Sequence, residues 1–279
     1  MKTAVLTSVR NDSLFLDLWL DYYGGLFGAE CLYVVIDGFD QPVPDRADPP
    51  NILRVPFVAS DRATGDRRRA RLISDIARGL HRLYDAVIAV DVDEFLLADP
   101  AQYPDLAALL AGEHQRGRHA TLSGLGLDVA QNTALEAPID TSRPILQQRR
   151  FAQLSTRYTK PSVAFRPVTW GSGYHRVKRR NFHIHPHLYL VHLGMMDHAN
   201  STQRSTDADR IDNGWTGHMA RRQKVFDVVT GTPPTDFDST TTSARRMQTW
   251  LRPPYAWNKP LMPGAPRVVR IPDRFAHLL

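Results

Sequence analysis

The sequence predicts an α/β fold in which a mostly parallel central sheet is flanked by helices. Three observations carry that expectation. Through the first hundred residues, short apolar runs alternate with longer segments of helical spacing. The runs are apolar throughout instead of alternating, the pattern of strands covered on both faces. Each of three runs then ends in polar residues: Arg10 to Asp12, Asp37 and Asp91 to Glu94. In parallel sheets, ligands sit beyond the carboxyl ends of the strands, so these three clusters should converge on one edge.

Element by element, Lys2 to Ser8 reads as a first strand. A helix follows, with Leu14, Leu18 and Tyr22 beside Phe15, Trp19 and Tyr23 on one broad apolar face. Asn11 or Asp12 would cap it, and Gly24-Gly25 would end it. Leu32 to Ile36 and Ile52 to Val55 read as strands, and Asp66 to Tyr84 as a helix burying Leu72, Ile76, Leu80 and Leu83. Ala86 to Val90 is the next strand. Beyond Leu97 the spacing predicts a helix over Tyr103–Ala111, a strand over Ala120–Leu127 and a Pro-containing loop from Thr133 to Arg149. Further strands are expected at Ser162–Val168 and Leu188–His192, and a helical stripe of Ile211, Trp215, Met219 and Phe226 over Ile211–Val229. The last fifty residues, with Pro233-Pro234 and Pro253-Pro254, are expected to wrap the surface as a Pro-rich extension.

Composition narrows the class. A chain of 279 residues can bury a sizeable core. No apolar run reaches about 18 residues, so no membrane-spanning helix is expected. The opening MKTAVLTSVRNDS is broken by Arg10, Asn11 and Asp12 and does not read as a signal peptide. A single cysteine, Cys31, excludes an internal disulfide or a Cys-rich zinc motif and suits a reducing compartment, so the expected location is the cytoplasm. A formal charge of +6 favours anionic partners: nucleic acid, phosphorylated small molecules or the inner face of an anionic plasma membrane, contacted peripherally.

The chemistry concentrates in VIAVDVDEFLL, Val87 to Leu97. On an extended strand, residues two apart share a side, so Asp91 and Asp93 would aim two carboxylates at one point while Glu94 turns away to a structural role. Two like charges so close need a proton or a cation between them. With oxygen ligands only, Mg²⁺ or Mn²⁺ is the natural ion, and a metal-bound diphosphate the most economical ligand.

Asp91-Val92-Asp93 followed by Glu94-Phe95-Leu96 resembles the DxD-Glu-Phe motif of family-2-like glycosyltransferases of GT-A fold, a Rossmann-like architecture. The opening SVRNDSLFLDLWLDYYGGLFGAECLYVVIDG resembles their N-terminal segment. Lys160-Pro161, Gly173-Tyr174-His175 and Val191-His192 resemble later landmarks, so the likeness spans roughly residues 3 to 195. It implies a nucleotide-sugar-binding half over 1–100, an acceptor-side half over 101–200 and a C-terminal helix with extension over 201–279. It implies a metal-dependent, inverting hexosyltransferase that moves a sugar from a nucleoside-diphosphate donor to a glycan, lipid or small-molecule hydroxyl, in polysaccharide or glycolipid biosynthesis. Carried over by position, Asp91 would lie near ribose and metal, Asp93 would bind metal and diphosphate, and Asn11 and Asp37 would contact the nucleoside.

The sequence also departs from that pattern. Where relatives often carry Gln before the DxD strand, this chain has Arg67-Arg68-Arg69 and Arg71. Arg69 and Arg71 would clamp diphosphate, or the run is a solvated helix start. Gly124-Leu125-Gly126-Leu127-Asp128 replaces an aromatic segment, which makes Asp128 the candidate general base, against a plain capping role. Six histidines fall between His175 and His198, but Pro186 interrupts the trio His183, His185 and His187, which argues against a zinc site. His192 is the first choice for a metal or phosphate ligand and His175 the second, with Lys160 a phosphate or acceptor contact. A nucleotidyltransferase is the first alternative, although SVRNDS lacks the Gly- and Lys-rich loop that holds a triphosphate. A basic nucleic-acid-binding protein is the second. It would interleave exposed aromatics with arginines, whereas Trp19, Tyr22 and Tyr23 follow core spacing, so no nucleic-acid partner is expected.

Overall fold

The computed structural model describes residues 1–212 and 216–279, with 210, 216 and 218–220 as backbone only. Four parallel strands, β1 (Thr3–Val9), β2 (Leu32–Asp37), β3 (Asn51–Val55) and β4 (Ala86–Ala89), lie in the order β4-β1-β2-β3. Helix α1 (Ser13–Phe27) buries Phe15, Trp19 and Tyr23 against Val5, Val34 and Ile36 on one face. Helix α2 (Arg62–Leu80) buries Ala70, Ile73 and Ala77 against Leu6, Val35 and Ala89 on the other. Successive β1 side chains therefore enter different cores, which is why the run had to be apolar throughout. The α/β class, with a parallel core flanked by helices, is the one the sequence predicts.

Beyond residue 90 the sheet becomes mixed. β5 (Glu94–Ala98) pairs antiparallel with β9 (Ile184–Met195), and β9 pairs parallel with β6 (Thr121–Ala130). β6 continues antiparallel to β7 (Phe151–Leu154) and β8 (Val163–Ala164), and β8 joins this part to β4. β10 (Val268–Arg270) completes the edge beside β7. In this register His192 of β9 stands opposite Glu94 on one side and Asp128 on the other.

Several boundaries differ from the sequence expectation. α1 continues through Gly24 and Gly25 to Phe27 and stops at Gly28, whose φ of +86° is left-handed and whose N–H donates to the Gly24 carbonyl. Asp12 occupies the N-cap position without capping; its carboxylate meets Arg204 at 2.9 Å instead. α2 begins four residues early because Asp61 accepts from the Thr64 N–H, and it ends at Leu80, leaving Leu83 exposed rather than inward.

The remaining helices are α3 (Leu106–Arg116), α4 (Ile145–Gln148), α5 (His198–Ser205), α6 (Ala208–Asp212), α7 (Thr216–Gly231) and α8 (Phe237–Trp250). α4 lies inside the stretch expected as loop. The stripe expected over Ile211–Val229 divides between α6 and α7: Ile211 is exposed and Phe226 buried, while Trp215 and the Met219 side chain lie outside the described residues. The Pro-rich end is more regular than expected, since Asp236 caps α8 through the Ser239 N–H and β10 joins the sheet. Among the described residues no helix is long and apolar enough to cross a membrane.

Candidate active site

A cavity of about 590 Å³ opens at the carboxyl ends of the parallel strands. Arg10 to Asp12 after β1, Asp37 at the end of β2, Pro56 to Val58 after β3 and Asp91 to Glu94 after β4 all line it. The convergence expected from the sequence is thus a feature of the fold. α2 contributes Asp66, Arg68 and Arg69, and the segment after β7 contributes Tyr158 and Lys160. The C-terminal helices add Arg204 from α5 and Arg222 from α7.

Asp91, Val92 and Asp93 are not an extended strand. They form a turn between β4 and β5, closed by the Glu94 N–H donating to the Asp91 carbonyl at 3.0 Å. Simple alternation therefore does not govern where the three carboxylates go. Asp91 meets Lys160 Nζ at 2.7 Å and Arg69 Nη1 at 3.1 Å. Asp93 meets His192 Nε2 and Arg204 Nη2, both at 3.3 Å. Glu94, expected to turn away, is fully buried on the same side: its Oε1 lies 2.5 Å from Lys160 Nζ and its Oε2 accepts from the Asp91 N–H.

Burial alone would push all three acids up. Lys160 and Arg69 nevertheless hold Asp91 below the usual carboxylate range, and His192, Arg204 and Arg222 hold Asp93 well below it. Glu94 goes the other way: burial, with Asp91 and Asp93 nearby, outweighs Lys160 and pushes it up to about 7. Two carboxylates stay ionised while the third is poised near neutrality.

His192 sits at the junction. Its Nδ1 is 2.7 Å from Asp128 Oδ1, its Nε2 is 2.6 Å from Arg222 Nη2, and the Tyr158 ring stacks on it with centroids 4.0 Å apart. A guanidinium can only donate, so in the neutral ring Nε2 accepts in this pair and Nδ1–H donates to Asp128, whereas in the protonated ring Nε2–H faces Asp93. Burial and Arg222 oppose a second proton on the ring, but the Asp93 and Asp128 carboxylates outweigh them and raise its pKa above the ordinary histidine value. Gly194 makes this packing feasible: a Cβ there would fall 2.6 Å from both Asp93 Oδ2 and His192 Nε2. Gly126 does the same behind the site, where a Cβ would meet the Ser155 carbonyl at 2.3 Å.

The other residues singled out in the sequence distribute as follows. Asn11, at φ +54°, lines the cavity, but its side-chain amide donates to Asp207 and Asp209. Asp37 lines the cavity half-buried, and burial raises its pKa. Arg69 lines it, whereas Arg71 lies outside it, exposed on the solvent side of α2. Lys160 is buried against Asp91 and Glu94. His175 lines the cavity, its Nδ1 lies 3.0 Å from the Arg157 carbonyl, and burial with Lys160 nearby pushes its pKa down to about 3. A neutral ring whose Nδ1–H is spent on a carbonyl offers Nε2 as an acceptor, which suits a sugar or ribose hydroxyl better than a phosphate. Asp128 is not among the residues lining the cavity; it stands behind His192.

Tyr158, Arg204 and Arg222 were not singled out from the sequence, and Arg10 was named only as part of the cluster after β1, with no role of its own. Arg10 packs 4.0 Å over the Phe57 ring and pairs with Asp40 and Asp209. Arg204 and Arg222 arrive from helices more than a hundred residues beyond the DVDEF turn, and no local spacing marks them.

The lining also bears on a metal. Among the described residues no three His, Cys, Asp or Glu side chains are grouped to hold one ion, and both nitrogens of His192 are engaged. Asp91 Oδ1, however, is buried with no aligned hydrogen bond, its cationic neighbour Arg69 Nη1 standing 3.1 Å away as an ion pair only. The described lining also carries eight Arg and Lys against eight Asp and Glu, so an entering diphosphate would leave excess negative charge. Asp91 and Asp93 thus fit a hard divalent ion that takes its remaining ligands from phosphate and water.

No protein-family model matches the chain, and no curated protein matches it in sequence. Among solved structures, mannose-1-phosphate geranyltransferase from Thermus thermophilus is similar at 12% identity and TM-score 0.30, over 87% of this chain and 68% of that one. CMP:2-keto-3-deoxy-manno-octonic acid synthetase complexed with CTP is similar at 13% identity and TM-score 0.27, over 89% of this chain and 99% of that one. Neither score carries an argument about function.

Proposed function

We propose that the protein is a glycosyltransferase that moves a sugar from a nucleoside-diphosphate donor to an acceptor hydroxyl. The observation that carries this reading is the DVDEF turn, which brings two ionised carboxylates into a strand-end cavity ringed by Arg69, Lys160, Arg204 and Arg222. The nucleoside lies towards Arg10, Asn11 and Asp37 in residues 1–100, and the acceptor towards His175 and His192 in residues 101–200. Asp91 and Asp93 would hold Mn²⁺ or Mg²⁺, which when bound offsets charge on the diphosphate.

The chain's own residues do the rest. Arg69 and Arg204 steady the phosphates as the bond from the anomeric carbon to the phosphate oxygen breaks and that oxygen keeps the electron pair. The acceptor oxygen forms the new bond, and its proton goes to the His192–Asp128 pair. His192 Nε2 receives it once the acceptor displaces the Arg222 N–H, and Asp128 holds the resulting imidazolium in place. Asp128, the base expected from sequence, thereby acts through His192.

The test is a panel of UDP-, GDP- and other nucleotide sugars with and without Mn²⁺, read by thermal shift and by product. A nucleoside diphosphate released with the glycoside supports transfer. Inorganic pyrophosphate from a nucleoside triphosphate and a sugar phosphate would instead make the protein a nucleotidyltransferase. No response to any nucleotide, with or without metal, would sink both.

A further inference from the structure

We infer that a basic and aromatic patch beside the cavity docks the protein onto an anionic lipid surface. Trp250, Tyr255 and Trp257 are 78%, 79% and 59% exposed, whereas Trp19 and Trp170 are buried to 1% or less. Exposed rings clustered at a helix end and in a Pro-rich loop are not the default of a protein surface. Indole and phenol groups are the side chains that settle at the headgroup level of a bilayer.

The loop is fixed to a cationic turn. Asn258 Nδ2 donates to the carbonyls of Val177 at 2.8 Å and Arg180 at 3.2 Å, and the Arg252 guanidinium lies 4.3 Å over the Phe182 ring. That turn exposes Arg176, Lys178, Arg179 and Arg180 and holds Arg179 at φ +59°, a region glycine ordinarily occupies. It directly follows His175, which lines the cavity.

The charge around the patch is one-sided. Residues 161–196 contain five Arg and Lys, all exposed, and no Asp or Glu, and residues 239–272 contain six and none. Cations grouped beside rings, instead of interleaved with them along a groove, make an interfacial anchor rather than a track for a nucleic-acid strand. Docked this way, the His175 side of the cavity would face the bilayer.

The experiment is co-sedimentation of the full chain with phosphatidylcholine vesicles, with and without phosphatidylglycerol, in the absence of any donor. Failure of the transferase reading would leave its result unchanged. Binding is expected only to the anionic vesicles, with protection of tryptophan emission from acrylamide. Lys178→Ala, Arg179→Ala and Arg180→Ala together should lower the partition coefficient about a hundredfold, since each cation near the surface contributes about fivefold. Trp250→Ala with Trp257→Ala should lower it at least about tenfold, while Arg78→Ala with Arg82→Ala, on exposed positions elsewhere, should leave it unchanged. Melting temperatures identify any variant that has lost its fold, and the wild-type quenching result stands without variants. Absence of binding to anionic vesicles, equal loss in the Arg78 and Arg82 control, or preferential binding of poly-U RNA over vesicles would overturn the proposal.

Discussion

At the scale of single residues, Glu94 is the group most exposed to pH. Its pKa is about 7 in the folded protein against an ordinary 4.5, so the folded state holds this proton more tightly than the unfolded chain. Its contribution to stability is complete below about pH 4.5 and is lost as pH rises towards 7, a change on the order of 3 kcal/mol. Glu94→Gln keeps a neutral group there, so the gap in melting temperature between variant and wild type should widen in the variant's favour from pH 4.5 to 7; a constant gap would remove Glu94 as the cause. The comparison is made between the two proteins because His175, depressed to about 3, imposes an opposite slope on both. Gly194→Ala places a methyl group against Asp93 and His192, and a displacement of about 1 Å there should lower turnover about a hundredfold with little change in fold. Asp128→Asn should spare donor binding, read by thermal shift, and cut transfer by on the order of a thousandfold; unaffected transfer would detach Asp128 from the chemistry.

At the scale of elements, the DVDEF turn is held from below by α1. The Tyr23 hydroxyl accepts from the Leu96 N–H at 2.9 Å, and its ring stacks on Phe95 with centroids 6.2 Å apart. Tyr23→Phe leaves that buried N–H without a partner, a loss of about 1–3 kcal/mol that a urea titration would read as a lower midpoint with unchanged slope. Apolar spacing gave Tyr23 its inward position in advance, because a helix face is a local pattern. The same kind of pattern located β1, β2 and β4 and the strand-end clusters. It misplaced what depends on non-local partners. Asp91 and Asp93 were expected to share a strand face, but the turn sends them to different cations, Lys160 and Arg69 for one, His192 and Arg204 for the other. Glu94 was assigned away from the site because alternation does not extend through a turn. Arg204 and Arg222 carry no local signature, since their place is decided by how α5 and α7 return across the sheet.

At the scale of the whole molecule, the cavity balances opposite charges from distant parts of the chain, and its closure depends on the C-terminal helices. Arg204→Ala removes one cation from Asp12 and Asp93 at once and leaves the cavity more negative where the phosphates would sit. Titration calorimetry with a nucleoside diphosphate should show affinity falling about tenfold or more, and a wild-type value would exclude Arg204 from the diphosphate site. β9 gives this arrangement a mechanical side. It is bonded on one edge to the strand that begins with Glu94 and on the other to the strand that carries Asp128, and His192 lies on the line between them. A shift of either neighbour is therefore transmitted as a change in spacing among fixed charges, with little slack to absorb it. Filling one side of the cavity should alter affinity on the other, and by reciprocity the two occupants would report on each other through a single imidazole.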